Sequence, residues 1–137
     1  MDVIFTIVSR NYAAQAATLM QSLERAEPAA RRVVIATDGP IPELQDLAEV
    51  IAAETLDAPF AAMSVYYDAL ELNTAVKPYA FRKLLREAQT VTYLDPDIYV
   101  FRPLDAVRAA LKDAELALTP HTTRPLSGEA LPNDQAT

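Results

Sequence analysis

The sequence predicts an α/β protein with a mainly parallel sheet. Val3 to Val8 (VIFTIV) and Arg32 to Thr37 (RVVIAT) are short, continuous apolar runs rich in β-branched residues, as expected of strands buried on both faces. Between them Ala13, Ala16, Leu19, Met20 and Leu23 recur at helical spacing. Strand, helix and second buried strand make a crossover unit, and such units lay strands parallel beneath helices.

The elements follow in order. After the first strand, Ser9-Arg10-Asn11 is a polar break, and a helix runs from Tyr12 until Pro28 closes it. The second strand ends in the turn Asp38-Gly39-Pro40. Pro42 suits the first turn of a helix whose apolar face is Leu44, Leu47 and Ala48. Val50 to Thr55 is a weaker strand. Past Asp57-Ala58-Pro59, helices are expected over Phe60 to Leu70 and Asn73 to Ala88, the latter with Val76, Ala80, Leu84 and Leu85 on one side. Pro78 falls in the first turns of that helix, where it is tolerated. Val91 to Leu94 reads as strand, and strand character returns at Ile98 to Phe101. A helix over Leu104 to Leu111 and a last strand over Glu115 to Thr119 complete the pattern. Thr122 to Thr137 has no apolar period, so residues 1–121 are expected to form the domain and 122–137 an irregular tail. A domain more naturally ends on a packed element, so the chain is expected to stop part-way through a longer design.

Bulk properties narrow the function. The length of 137 residues suits one domain with a real core, and 51% apolar residues indicate a folded one. A net charge of −7 argues against a nucleic-acid-binding face, and it obliges any anionic substrate to meet a local cation. With no cysteine, disulfides, thiolate metal sites and a cysteine nucleophile are excluded, and a cytoplasmic location is expected. Val3 to Val8 is too short to span a bilayer, and Asp2 before it is not the basic start of a secretory signal. The two glycines, Gly39 and Gly128, cannot form a glycine-rich phosphate cradle, so dinucleotide and P-loop fingerprints are absent.

The chemistry concentrates in Tyr93-Leu94-Asp95-Pro96-Asp97-Ile98-Tyr99-Val100. In a regular strand Asp95 and Asp97 project to the same face. Paired carboxylates repel, and a divalent cation with hard oxygen ligands, Mg²⁺, Mn²⁺ or Ca²⁺, removes that penalty. The competing reading is a solvated turn, since Asp-Pro and Pro-Asp are ordinary turn dipeptides. Lys77 sits where a helix starts, an unfavourable place for a cation, which an anionic neighbour would explain. Arg10 and Asn11 serve equally as a loop and helix cap or as ligand contacts, and Asp38 equally as a turn residue or a ligand contact.

Together, Ser-Arg-Asn-Tyr behind the first strand, a second strand ending in Asp38, Leu72-Asn73-Thr74-Ala75-Val76-Lys77-Pro78 and Tyr-Leu-Asp-Pro-Asp-Ile-Tyr-Val-Phe resemble the start of a GT-A glycosyltransferase. The nearest likeness is to bacterial relatives of glycosyltransferase family eight, over about Met1 to His121. The resemblance implies a Rossmann-like three-layer α/β/α sandwich that binds a nucleotide-diphosphate sugar over the carboxyl ends of its first strands and transfers the sugar to an acceptor. It implies that Asp95 and Asp97 hold Mn²⁺ or Mg²⁺ against the diphosphate. It places Ser9, Arg10, Asn11 and Tyr12 at the base and ribose, Asp38 near the same groups, and Lys77 over the phosphates or the metal-site carboxylates. Family members often add a late histidine ligand; His121, the only histidine, does not match its position. Two alternatives stand beside this reading: a non-catalytic nucleotide-sugar-binding module, and a nucleotidyltransferase, which usually carries a glycine-rich signature where this chain has Ser9-Arg10-Asn11. An exposed sheet edge would favour homo-oligomers.

Overall fold

The structure, a computed structural model, describes residues 1–120, so His121 and the stretch 122–137 lie outside the described residues. Two compact units divide the chain, Met1–Pro103 and a second that begins at Leu104.

The first unit is built on a four-stranded sheet of β1 (Asp2–Val8), β2 (Arg31–Ala36), β3 (Glu49–Ala52) and β4 (Thr90–Tyr93). The strand order is β3-β2-β1-β4 and every pairing is parallel. Phe5 stands opposite both Val33 and Tyr93, and Val8 opposite Ala36, so the carboxyl ends of the strands share one edge. β1 is flanked by strands on both sides and its residues from Val3 onward are buried. That accounts for its unbroken apolar run.

The faces of β1 alternate as the pleat requires. Ile4, Thr6 and Val8 look toward α1 (Ala13–Ala26), which packs on β1 and β2 with Ala16, Leu19, Met20 and Leu23 buried. Burying each large side chain contributes about 1.5–3 kcal/mol, so packing rather than intrinsic propensity holds this helix. Val3, Phe5 and Ile7 face the other layer, where they cluster with Met63 of α2 (Phe60–Tyr66), Leu72 of α3 (Ala69–Ala75), and Ala80 and Leu84 of α4 (Lys77–Leu84). Phe5 meets the Phe81 and Tyr93 rings edge-on at 4.9 and 5.3 Å. The result is the Rossmann-like α/β/α arrangement.

Several local expectations are corrected. The helix expected after Pro42 is a single 3-10 turn, Pro42–Leu44, in which Leu44 alone is buried. The third strand ends at Ala52, and Ala53–Thr55 forms another 3-10 turn. The helix expected to reach Leu70 stops at Tyr66, and a new one begins after Asp68. Asp68 accepts from the Glu71 N–H (2.8 Å), and the Glu71 carboxylate accepts from the Asp68 N–H (3.1 Å), a reciprocal cap that starts α3. The single helix expected from Asn73 is broken at Val76. Pro78 has no N–H to offer the Thr74 carbonyl, so the ladder cannot run through. No strand re-forms at Ile98 to Phe101, where the Val100 N–H instead finds the Ser22 hydroxyl on α1 at 3.0 Å.

Among the described residues of the second unit, the helix over Leu104 to Leu111 is present as α5 (Asp105–Ala110). The strand expected over Glu115 to Thr119 is absent; Leu116 and Leu118 are exposed, and no sheet neighbour pairs with the segment.

Candidate functional site

β1, β2 and β3 succeed one another toward one side of the sheet, whereas β4 joins on the other side of β1. The strand order therefore reverses between β1 and β4, and in open α/β sheets ligands bind outside the carboxyl ends of the strands at such a point. The segments leaving β1, β2 and β4 carry the residues singled out in the sequence.

Behind β1, the Ser9 hydroxyl donates to Asn11 Oδ1 at 2.6 Å, and Arg10–Tyr12 form a 3-10 turn that leads into α1. The Arg10 N–H donates to Asp38 Oδ1 at 2.8 Å, and its guanidinium donates to the Pro40 carbonyl at 3.0 Å. Arg10 and Asp38 thus tie the exits of β1 and β2 together. Gly39 has φ of +112°, in the left-handed region that a side chain disfavours, which lets the chain turn sharply beneath the Arg10 side chain. Tyr12 is exposed.

Behind β4, the Leu94 N–H still donates to the Phe5 carbonyl at 3.0 Å, and there the ladder ends. The Ile98 N–H closes on the Asp95 carbonyl at 3.2 Å, making Asp95-Pro96-Asp97-Ile98 a turn with proline at its favoured second position. Asp95 and Asp97 therefore sit on a turn and not on one face of a strand, as regular strand geometry had suggested. Both are exposed.

Asp95 is fixed by two partners. The Tyr93 hydroxyl donates to Asp95 Oδ1 at 2.7 Å, and Lys77 Nζ lies 4.0 Å from the same oxygen and 4.2 Å from the Tyr93 ring centroid. Lys77 begins α4, and Asp95 is the anion that offsets a cation at that end of a helix. Burial first, then the hydrogen bond to Asp95, raises the Tyr93 pKa above the tyrosine range, so its hydroxyl stays a donor.

Three side chains assigned no role from the sequence complete the edge. Thr37, just past β2, donates its N–H to the Val8 carbonyl at 3.0 Å and its hydroxyl to Asn73 Oδ1 at 2.8 Å. Asn73 precedes Lys77 by one helical turn, a spacing readable from the chain; Tyr93 lies two residues before Asp95 in the strand. A cavity of about 260 Å³, lined by Thr37, Gly39, Ile41, Gln45, Glu54 and Phe60 among others, opens beside the ends of β2 and β3. Asp95, Asp97 and Lys77 do not line it, and the charged groups gather instead at the reversal point.

Among the described residues no three His, Cys, Asp or Glu side chains come together as a cation cage. The β4 turn carries two exposed carboxylates, Asp95 and Asp97, with Asp95 Oδ1 already engaged. That set suits a Mg²⁺-type ion, which keeps several waters and draws its other ligands from phosphate oxygens.

The structure is similar to a solved galactosyltransferase, LgtC, in complex with donor and acceptor sugar analogs, with a TM-score of 0.51 at 20% identity. The match covers 78% of this chain and 41% of the galactosyltransferase, so the chain spans under half of that enzyme's length. An active-site mutant of LgtC superposes over the same shares at 20% identity with a TM-score of 0.49. No protein-family model matches the chain, and no curated protein matches it significantly. The likeness to LgtC shows a GT-A-like glycosyltransferase fold. Among the described residues, no helix is long and apolar enough to cross a membrane.

Proposed function

We propose that this chain binds a nucleotide-diphosphate sugar across the carboxyl ends of β1, β2 and β4 and acts in metal-dependent glycosyl transfer. The observation that carries the reading is the meeting of Lys77, Tyr93 and Asp95 at the point where the strand order reverses, on a GT-A-like fold. In this reading Ser9, Arg10, Asn11, Tyr12 and Asp38 border the nucleoside half of the donor. Arg10 and Asp38 also shape the loop, through the Arg10 N–H on Asp38 Oδ1 and one guanidinium N–H on the Pro40 carbonyl.

Asp95 and Asp97 would hold Mn²⁺ or Mg²⁺, which when bound offsets charge on the leaving diphosphate as the glycosidic bond breaks. Tyr93 keeps one oxygen of Asp95 engaged, which orients the other toward the site. Lys77 adds a second positive charge beside the same oxygens. A net charge of −7 over the whole chain makes such local cations necessary for binding an anionic donor.

The test is calorimetric titration of the purified 137-residue chain with UDP and GDP, with and without Mn²⁺. Binding that requires Mn²⁺ and is lost in Asp95→Ala is the expected result; absence of binding by folded protein overturns it. A second reading, donor binding without metal, is favoured by the ammonium of Lys77 already beside Asp95. It predicts equal affinity with and without Mn²⁺, weakened by Lys77→Ala.

A further inference from the structure

Asn73 stands between the two halves of this site. On one side its Oδ1 accepts the Thr37 hydroxyl at the end of β2; one turn further along the chain, Lys77 reaches Asp95 behind β4. Thr37 is 8% exposed, so the contact that holds the amide is nearly closed to water. The Thr37 hydroxyl has one hydrogen and two acceptors in range, Asn73 Oδ1 at 2.8 Å and the Val8 carbonyl at 3.3 Å. At 2.8 against 3.3 Å, the contact to Asn73 Oδ1 has the better hydroxyl geometry.

With Oδ1 engaged, the orientation of the amide is set: Nδ2 and its two N–H donors turn away from Thr37. Among the described residues they have no protein partner. The backbone beneath is held firmly. Leu72 and Val76, on either side of Asn73, are buried in the core, and the Asp68–Glu71 cap starts the helix one turn earlier. An oriented, half-buried amide with free donors at the carboxyl edge of a parallel sheet is arranged to meet a neutral acceptor oxygen.

We propose that Asn73 recognises the nucleoside half of the bound nucleotide, donating from Nδ2 to a ribose hydroxyl or base carbonyl, with Thr37 as the residue that positions it. This rests on the donor-site reading above. The division of labour follows from charge. The ammonium and carboxylates suited to phosphate and a cation lie on the β4 side, while the uncharged amide lies beside Thr37 and the Asp38 turn on the β2 side.

The experiment compares wild type, Asn73→Ala and Asn73→Asp by calorimetric titration with UDP and GDP in Mn²⁺, and wild type and Asn73→Ala with Mn²⁺-pyrophosphate. Both variants should weaken nucleotide binding roughly three- to tenfold, the range expected for one lost hydrogen bond. Asn73→Ala should bind pyrophosphate as wild type does. Asn73→Asp keeps an acceptor for the Thr37 hydroxyl, so its loss of affinity at unchanged melting temperature separates ligand donation from helix anchoring; it decides the matter if Asn73→Ala does not fold. Unchanged nucleotide affinity in a folded variant overturns the proposal. So does an equal loss for pyrophosphate in Asn73→Ala, which would place the effect outside the nucleoside half. Failure of wild type to bind either nucleotide brings down the donor site and Asn73 together, whereas normal wild-type binding with a silent Asn73 brings down Asn73 alone.

Discussion

The Tyr93 hydroxyl donates to Asp95 Oδ1 at 2.7 Å while the Tyr93 ring packs edge-on against Phe5 at a centroid distance of 5.3 Å. A core aromatic therefore reaches out to hold the one carboxylate that Lys77 also approaches. Tyr93→Phe keeps the ring and removes the tether. The expected outcome is an unchanged melting temperature with Mn²⁺-dependent UDP or GDP binding weakened roughly three- to tenfold. Wild-type affinity in this variant would show that Asp95 needs no orienting partner. Asp97→Ala, which removes a proposed ligand rather than a support, should abolish Mn²⁺-dependent binding outright and leave the fold intact.

At the opposite edge of the sheet, Arg31 at the start of β2 donates to both oxygens of Glu49 on β3 and to Glu87 beyond α4, at 2.8–3.1 Å. The hydrogen bond from Arg31 lowers the Glu87 pKa below its ordinary value of 4.5. A depressed carboxylate contributes stability that is full above the unfolded-state value and is lost as the pH falls through the lower folded-state value. Melting temperature followed from about pH 6 down to about pH 3 should fall more steeply in wild type than in Glu87→Gln. Parallel curves would mean that Glu87, which is exposed, adds nothing through the pair, as is common for surface ion pairs.

Thr6 is the residue on β1 that breaks an otherwise apolar run, and its hydroxyl is fully buried without a hydrogen-bond partner among the described residues. An unsatisfied buried hydroxyl costs about 1–3 kcal/mol, and valine has nearly the same shape. Thr6→Val should therefore raise unfolding free energy by about 1 kcal/mol, read as a higher urea midpoint at unchanged slope. A lower midpoint would show that the hydroxyl is satisfied in solution, by a water within the α1 layer.

How much of this was legible follows from the range over which each signal acts. Val3 to Val8 and Arg32 to Thr37 were readable because burial on both faces imposes an unbroken apolar run, and α1 because its stripe, Ala13 to Leu23, spans about three turns. Lys77 was readable as needing an anion, since a lysine at a helix start is locally unfavourable. Which anion, phosphate or the Asp95/Asp97 pair, was left open, because Asp95 is close only once β4 lies beside β1. The same holds for Thr37 and Asn73, which are 36 residues apart. Local rules also failed where tertiary contacts outbid them. Ile98 to Phe101 has strand composition, but its backbone is held by Ser22 and its Tyr99 and Phe101 rings meet at 4.6 Å, so no ladder forms.

Ser22 leads to the last prediction. Its side chain, in the middle of α1 and 1% exposed, donates to the Leu19 carbonyl at 2.7 Å and accepts the Val100 N–H at 3.0 Å. Val100 follows Asp97 by three residues and is itself buried. The hydroxyl therefore fixes the segment that leaves the two carboxylates. Ser22→Ala strands a buried backbone N–H, which costs about 1–3 kcal/mol, and it also frees that segment to move. Chemical denaturation should register the loss of stability. Exchange of the Val100 amide with deuterium should accelerate by roughly tenfold or more if the contact is the one protecting it. Affinity for UDP or GDP in Mn²⁺ should fall with it, since Asp97 is then less well placed to ligate. A variant destabilised as expected but with unchanged nucleotide affinity would separate the two roles, leaving Ser22 a support of the fold and the carboxylate turn held by Pro96, the Ile98–Asp95 hydrogen bond and the Tyr93 hydroxyl.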